Sequence, residues 1–128
     1  MIAFKDNTVK QEFDSDQVDP RLKEIMLSLD KFCITHNIPG IIITDILRPS
    51  DPKSQHHVGE AFDMRLIDVN SDGTRTPRYT LEEFAKILDF LEVNFGRKNV
   101  MASGRRARVA YAHGEGNNLH IHVSVDQK

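Results

Sequence analysis

The stretch Ser54-Gln55-His56-His57-Val58-Gly59-Glu60-Ala61-Phe62-Asp63 decides the fold, together with His120-Ile121-His122 near the C-terminus. His56, Asp63 and His122 offer the three nitrogen and oxygen donors that a catalytic zinc takes from a protein, leaving a fourth position open. Because His56 and Asp63 are seven residues apart, they cannot lie on adjacent turns of one helix. The spacing therefore predicts a loop ligand followed by a strand ligand, with a turn at Gly59 between them.

Alternating side chains predict that two strands meet at this site. Along residues 61–66 apolar side chains alternate with others, so that Asp63 faces away from the apolar face. Along residues 119–125 the same alternation places His120 and His122 together on the polar face. Both imidazoles could bind a metal, or one could bind it while the other acts as an acid, a base or a hydrogen-bond donor. The spacing leaves both arrangements open.

These residues carry a resemblance to a known family. Ser54-x-His56-x-x-Gly59-x-Ala61-x-Asp63 matches each fixed position of the SxHxxGxAxD signature of the zinc D-alanyl-D-alanine carboxypeptidase and L-alanyl-D-glutamate endopeptidase family, which includes several phage endolysins. Five such positions coincide by chance roughly once in a few million windows. The segment His120-Ile121-His122 is similar to the H-x-H branch of that family and to the related hedgehog signalling domain. The resemblance spans about residues 41–125, with its motifs in two short segments.

The resemblance implies a role for particular residues. Zinc would be held by His56, Asp63 and His122, because the second histidine of the H-x-H pair is the ligand in that branch. Arg48 resembles the arginine that holds a substrate carboxylate or the developing oxyanion, and it is assigned to both catalysis and substrate binding. Ser54 and His57 are assigned to substrate binding at the same cleft, and an exposed surface imidazole is the alternative for His57.

The base that activates water is the point where this sequence departs from the commoner Glu-x-x-His pattern. Leu119 occupies the place of the catalytic glutamate. Glu115 lies seven residues before His122 and is our preferred base, while His120 is assigned to stabilising the tetrahedral intermediate. His120 is also the alternative base, because an imidazole exchanges protons near neutral pH.

The function that the resemblance implies is hydrolysis of amide bonds next to D-amino acids in peptidoglycan stem peptides, using one catalytic Zn²⁺. Both a carboxypeptidase and an endolysin-type endopeptidase fit the motifs. The alternatives are a noncatalytic hedgehog-like zinc-binding module and a phage structural protein.

Length and composition set further bounds. A chain of 128 residues suits one domain spanning residues 1–128, with residues 1–17 polar enough to form a loosely packed arm. Its 17 basic and 19 acidic residues give a net charge of -2, so we expect no nucleic-acid partner. No apolar run is long enough for a signal peptide or a membrane span, which predicts a cytoplasmic chain as synthesised. Such a chain would reach the cell wall after lysis or within a phage particle. The oligomeric state stays open.

The predicted fold is α+β: an antiparallel sheet that bears the zinc site, with helices packed on one side, as in hedgehog and DD-peptidase domains. One helix begins at the Asp19-Pro20 cap and ends before Asn37, and a second begins at the capping box Thr80-x-x-Glu83 and ends at Gly96. Residues 41–47 are a predicted buried strand, and residues 100–101 and 108–112 are shorter candidates.

One acidic segment deserves comparison with a calcium loop. Asp68-Val69-Asn70-Ser71-Asp72-Gly73 copies the first half of such a loop, but Tyr79 occupies the twelfth position and no helix is predicted before it. We therefore predict an ordinary solvated turn, with Ca²⁺ binding as the less favoured alternative.

Overall fold

The computed structural model describes residues 2–47, 61–95, 110–114 and 119–124. Within these residues the chain forms three helices and seven strands. In chain order they are β1 (Ala3–Phe4), α1 (Asn7–Asp14), α2 (Pro20–Thr35), β2 (Ile42–Asp45), β3 (Ala61–Arg65), β4 (Ile67–Val69), β5 (Arg75–Pro77), α3 (Leu81–Phe95), β6 (Ala110–His113) and β7 (His120–Ser124).

The main sheet has five strands in the order β1-β2-β3-β7-β6. β1 runs parallel to β2, and the other neighbouring pairs are antiparallel. β4 and β5 form a separate antiparallel hairpin. The α+β class and the mostly antiparallel sheet are thus confirmed for the described residues, and β3 and β7, the strands that carry the candidate metal ligands, lie side by side within the sheet.

Helix α2 begins and ends where its sequence predicts. The side chain of Asp19 accepts a hydrogen bond from the backbone N–H of Arg21, and Pro20 occupies the first turn, where its missing N–H costs no hydrogen bond. The helix ends at Thr35, and Asn37 takes a left-handed conformation with φ 55°. Its buried face packs into the core through five residues: Leu22, Ile25, Met26, Leu29 and Cys33.

Helix α3 begins with the predicted capping box. The backbone N–H of Glu83 donates to Thr80 Oγ1 at 3.1 Å, and the backbone N–H of Thr80 donates to Glu83 Oε1 at 2.9 Å. Two N–H groups that the helix cannot satisfy internally are thereby bonded. Further along the helix, Ile87, Leu91 and Phe95 are its buried residues.

The N-terminal residues carry regular structure, although their polar composition favours a loosely packed arm. β1 bonds to the segment around β2, with the Ala3 N–H donating to the Ile41 carbonyl at 3.0 Å. Asp6 caps α1 by accepting from the Val9 N–H at 3.0 Å, and Val9 belongs to the core. One buried valine and a strand of two residues therefore anchor a segment that is otherwise mostly polar.

Arg78 joins two parts of the fold. Its Nε donates to the Gly40 carbonyl at 3.0 Å, its Nη2 donates to the same oxygen, and its Nη1 lies 3.3 Å from Asp68 Oδ2. The Tyr79 hydroxyl donates to the Gly40 carbonyl as well, at 3.2 Å. These contacts tie the loop between α2 and β2 to the β4–β5 hairpin.

The segment that resembles half a calcium loop is the turn of this hairpin. Asp72 Oδ1 accepts from the Thr74 N–H at 3.0 Å and from Thr74 Oγ1 at 2.6 Å, and these bonds lower the pKa of the Asp72 carboxyl. Gly73 has φ 85°, a conformation that glycine adopts without strain. Asn70 and Asp72 therefore act here as turn formers on an exposed hairpin.

Within the part of the chain that the structure describes, no helix is long and apolar enough to cross a membrane.

Candidate metal centre

The candidate site lies on the face of β3 and β7 that points away from the apolar core. Phe62 and Met64 on β3 and Ile121 and Val123 on β7 are all fully buried in the core cluster. Because side chains alternate along a strand, the residues between them stand on the opposite face. Asp63, His120 and His122 are placed there, as the sequence predicts.

Asp63 and both histidines converge at the centre of this face. Asp63 pairs directly with His122 across the two strands, and its Oδ1 lies 3.0 Å from His122 Nδ1. The second carboxylate oxygen, Oδ2, lies 3.5 Å from His120 Nε2. The side chains of Asp63, His122 and His120 are only 7%, 13% and 20% exposed, respectively. Each oxygen of one buried carboxylate thus faces a different imidazole.

A β-bulge in β2 shapes the neighbouring side of the site. The pairing register of β2 with β3 shifts between Ile43 and Asp45, and Ile43 and Ile46 are both fully buried. A single bulge puts two residues opposite one on the partner strand, which leaves Thr44 and Asp45 both beside Asp63. In agreement, Thr44 Oγ1 donates to the Asp63 carbonyl at 3.3 Å.

Asp45 is therefore a further polar residue on the site face, which sequence reasoning missed. Residues 41–47 are a predicted buried strand, whereas β2 spans Ile42–Asp45 and its pairing with β3 is irregular at its end. The signal in the sequence was the polar pair Thr44-Asp45 between two isoleucines three positions apart, a spacing that regular alternation cannot bury on one face.

Arg65 is the second residue that belongs to this face. It pairs with His120 across β3 and β7, two positions from Asp63, and it is half-buried. The alternation of residues 61–66 predicts which face Arg65 occupies, but Arg65 is not a position of the motif and was therefore given no role.

Several predicted site residues lie outside the described ranges. These are Arg48, Ser54, His56, His57 and Glu115. Leu119, which stands where the commoner pattern has a glutamate, is partly buried and packs against the core cluster.

The separation of Asp63 Oδ1 and His122 Nδ1 can be compared with the separation of two ligands on one zinc ion. Bonds of about 2.0–2.1 Å at tetrahedral angles separate two ligand atoms by about 3.3 Å, close to the 3.0 Å between Asp63 Oδ1 and His122 Nδ1. The same distance also fits a direct hydrogen bond between carboxylate and imidazole. Among the described residues no group of three or more His, Cys, Asp or Glu side chains is arranged to hold a metal, and the predicted third ligand, His56, is not among them.

Comparison of the chain with protein-family models, curated proteins and solved structures gives no match.

Proposed function

We propose that the protein is a zinc-dependent peptidase that hydrolyses amide bonds next to D-amino acids in peptidoglycan stem peptides. The observation that carries the proposal is the cross-strand pair of Asp63 and His122, with His120 at the second carboxylate oxygen. Asp63 and His122 belong to two motifs and are 59 positions apart, and the 3.0 Å between their side chains is compatible with two ligands of one metal ion. An endolysin or phage-particle setting would give such an enzyme access to the cell wall.

Asp63 and His122 would hold the zinc together with His56. When bound, zinc supplies a Lewis acid that polarises a carbonyl and lowers the pKa of coordinated water toward about 7. The chain itself contributes orientation. Thr44 fixes the backbone of Asp63, and the core packing of Phe62 and Met64 on either side holds its strand in place.

His120 is suited to a catalytic role, because its ring lies beside Asp63 and it is not one of the predicted zinc ligands. It can donate a proton or a hydrogen bond to an oxyanion that forms beside Asp63, in line with its proposed role in stabilising the tetrahedral intermediate. Arg48 would add a positive charge for the same oxyanion or for a substrate carboxylate, and Glu115 would accept the proton from water.

A noncatalytic zinc-binding module is the second candidate. The observation that favours it is Leu119, an apolar side chain packed against the core at the position where the commoner pattern has its catalytic glutamate. The two candidates share the zinc ligands and differ in whether Glu115 and His120 support hydrolysis.

The test is to incubate zinc-loaded protein with purified peptidoglycan of several stem-peptide types, with and without a chelator, and to identify the released fragments by mass spectrometry. Chelator-sensitive release of a fragment cut beside a D-amino acid supports the peptidase and identifies the bond, which distinguishes endopeptidase from carboxypeptidase. The variant His36→Ala is a matched control, because His36 is an exposed imidazole at the end of α2. If protein that holds one zinc per chain releases nothing from any wall type, the peptidase proposal fails and the noncatalytic module replaces it.

A further inference from the structure

Arg65 stands at the end of β3 on the same face as the candidate metal ligands. Its Cα partner on β7 is His120, and Asp63 is two residues before it on the same strand. Two residues of extended strand span about 7 Å. Arg65 is therefore anchored within one side-chain length of the carboxylate and imidazoles at the centre of the site.

The side chain of Arg65 makes no hydrogen bond and no ion pair with any residue in the described ranges. The two other partly buried arginines among the described residues have carboxylate partners. Arg21 lies 2.8 Å from Asp19, and Arg78 lies 3.3 Å from Asp68. Since a guanidinium is always charged and is seldom buried without a partner, a half-buried Arg65 on this face is suited to bind an anion.

We propose that Arg65 binds a carboxylate of the substrate. A guanidinium presents two parallel N–H donors that match the two oxygens of a carboxylate, and such pairs are strong and geometrically specific. This proposal rests on the proposed peptidase function, because it treats the bound molecule as a substrate. The substrate would be a peptide with a carboxylate within about one residue of the scissile bond. That carboxylate is either the C-terminal group or the side chain of an acidic residue.

Arg65 and Arg48 are assigned to the site on different evidence. Arg48 is assigned through the resemblance alone, whereas Arg65 is placed by the pairing of β3 with β7. If both arginines serve the site, one can hold a substrate carboxylate while the other faces the developing oxyanion.

The experiment compares acidic probes with their neutral amides in titrations monitored by NMR, using the full chain with zinc. N-acetyl-D-alanine and its amide test a terminal carboxylate. N-acetyl-D-glutamic acid α-amide and N-acetyl-D-glutamine amide test a side-chain carboxylate. The variants are Arg65→Gln and Arg65→Lys, and the matched control is Arg75→Gln, which removes the same charge from the exposed β5 strand.

For at least one pair, the unaltered chain is expected to bind the acid more tightly than the amide. Charged hydrogen bonds of the usual strength predict that Arg65→Gln lowers this preference roughly ten- to hundredfold. Arg65→Lys should keep part of it, and Arg75→Gln should keep all of it. The pair that responds identifies the source of the carboxylate.

An unchanged preference in Arg65→Gln, or no preference in the unaltered chain for either pair, overturns the proposal. Because binding is measured without hydrolysis, the result is separable from the peptidase function. An Arg65-dependent preference in a protein that cleaves nothing would refute the enzyme and leave the carboxylate site standing.

Discussion

Asp63 Oδ1 and His122 Nδ1 lie 3.0 Å apart across the central strands of the sheet. The contact joins two segments that are distant in the chain, and it buries a carboxylate that is only 5% exposed as a residue. A buried carboxylate is stable only when charged or polar partners compensate its lost hydration. Two imidazoles provide this compensation, and a metal ion bound between Asp63 and His122 would strengthen it.

The two histidines of β7 should respond differently to substitution. His122→Ala removes a predicted ligand and is expected to lower the zinc affinity by at least a hundredfold. His120→Ala removes only a neighbour of Asp63, so its zinc affinity should fall by no more than the roughly 10- to 100-fold typical of supporting residues. Competition titration with a chromophoric chelator measures both.

In the peptidase account, His120→Ala should in addition lower kcat by roughly 100-fold or more under zinc saturation. Equal zinc affinities for the two alanine variants would refute the assignment of His122 as ligand and His120 as a residue outside the ligand set. Wild-type kcat in His120→Ala would remove His120 from catalysis.

Arg78 is expected to be a main determinant of stability. The change Arg78→Ala deletes the donors to the Gly40 carbonyl and the partner of Asp68, and we expect the free energy of unfolding to fall by about 2 kcal/mol or more. Urea denaturation followed by circular dichroism measures the change. Arg75→Ala, on the exposed β5 strand, should stay within about 0.5 kcal/mol of the unaltered chain. A similar small effect of Arg78→Ala would show that its contacts contribute little.

Cys33 should be chemically inert in the folded protein. Burial raises the pKa of its thiol from 9.0 to about 11, so the reactive thiolate is scarce near neutral pH. Reaction with an aromatic disulfide reagent at pH 8 should therefore be slow in buffer and fast in urea. Fast labelling of the folded chain would contradict the buried position of Cys33.

The same shift predicts a dependence of stability on pH. Because the folded pKa lies above the ordinary value, the folded state holds the thiol proton more tightly, and this stabilisation is present below about pH 9 and is lost as the pH rises toward 11. Unfolding free energies measured across this window should fall with pH in the unaltered chain. The fall should be smaller in Cys33→Ala, although Tyr79, whose pKa burial raises to about 12, still contributes at the upper end.

The regular elements were largely predictable from local chemistry. The starts of α2 and α3 are predicted by Asp19-Pro20 and by the Thr80-x-x-Glu83 box, because capping requires particular side chains at fixed spacing. The alternation of apolar side chains along residues 61–66 and 119–125 likewise predicts which face of the sheet Asp63 and His122 occupy. These signals are short in range and need no knowledge of the partner strand.

The pairing register of the strands could not be predicted from local sequence patterns. The bulge that brings Asp45 beside Asp63 depends on the register between β2 and β3, and the position of Arg65 beside His120 depends on the register between β3 and β7. Register is set by the packing of whole faces, and a shift of one residue would exchange the two faces of a strand. For this reason sequence reasoning placed the candidate ligands Asp63 and His122 on one face, but it did not assign Asp45 or Arg65 to the site.

The zinc content of the purified protein tests the metal centre most directly. After incubation with Zn²⁺ and removal of excess metal, elemental analysis of the unaltered protein, Asp63→Ala and His122→Ala gives the number of ions per chain. We expect one zinc in the unaltered chain, a large loss in both variants, and no change in His36→Ala. An unaltered chain that retains no zinc, or variants that retain as much as it does, would contradict the metal centre and the hydrolase built on it.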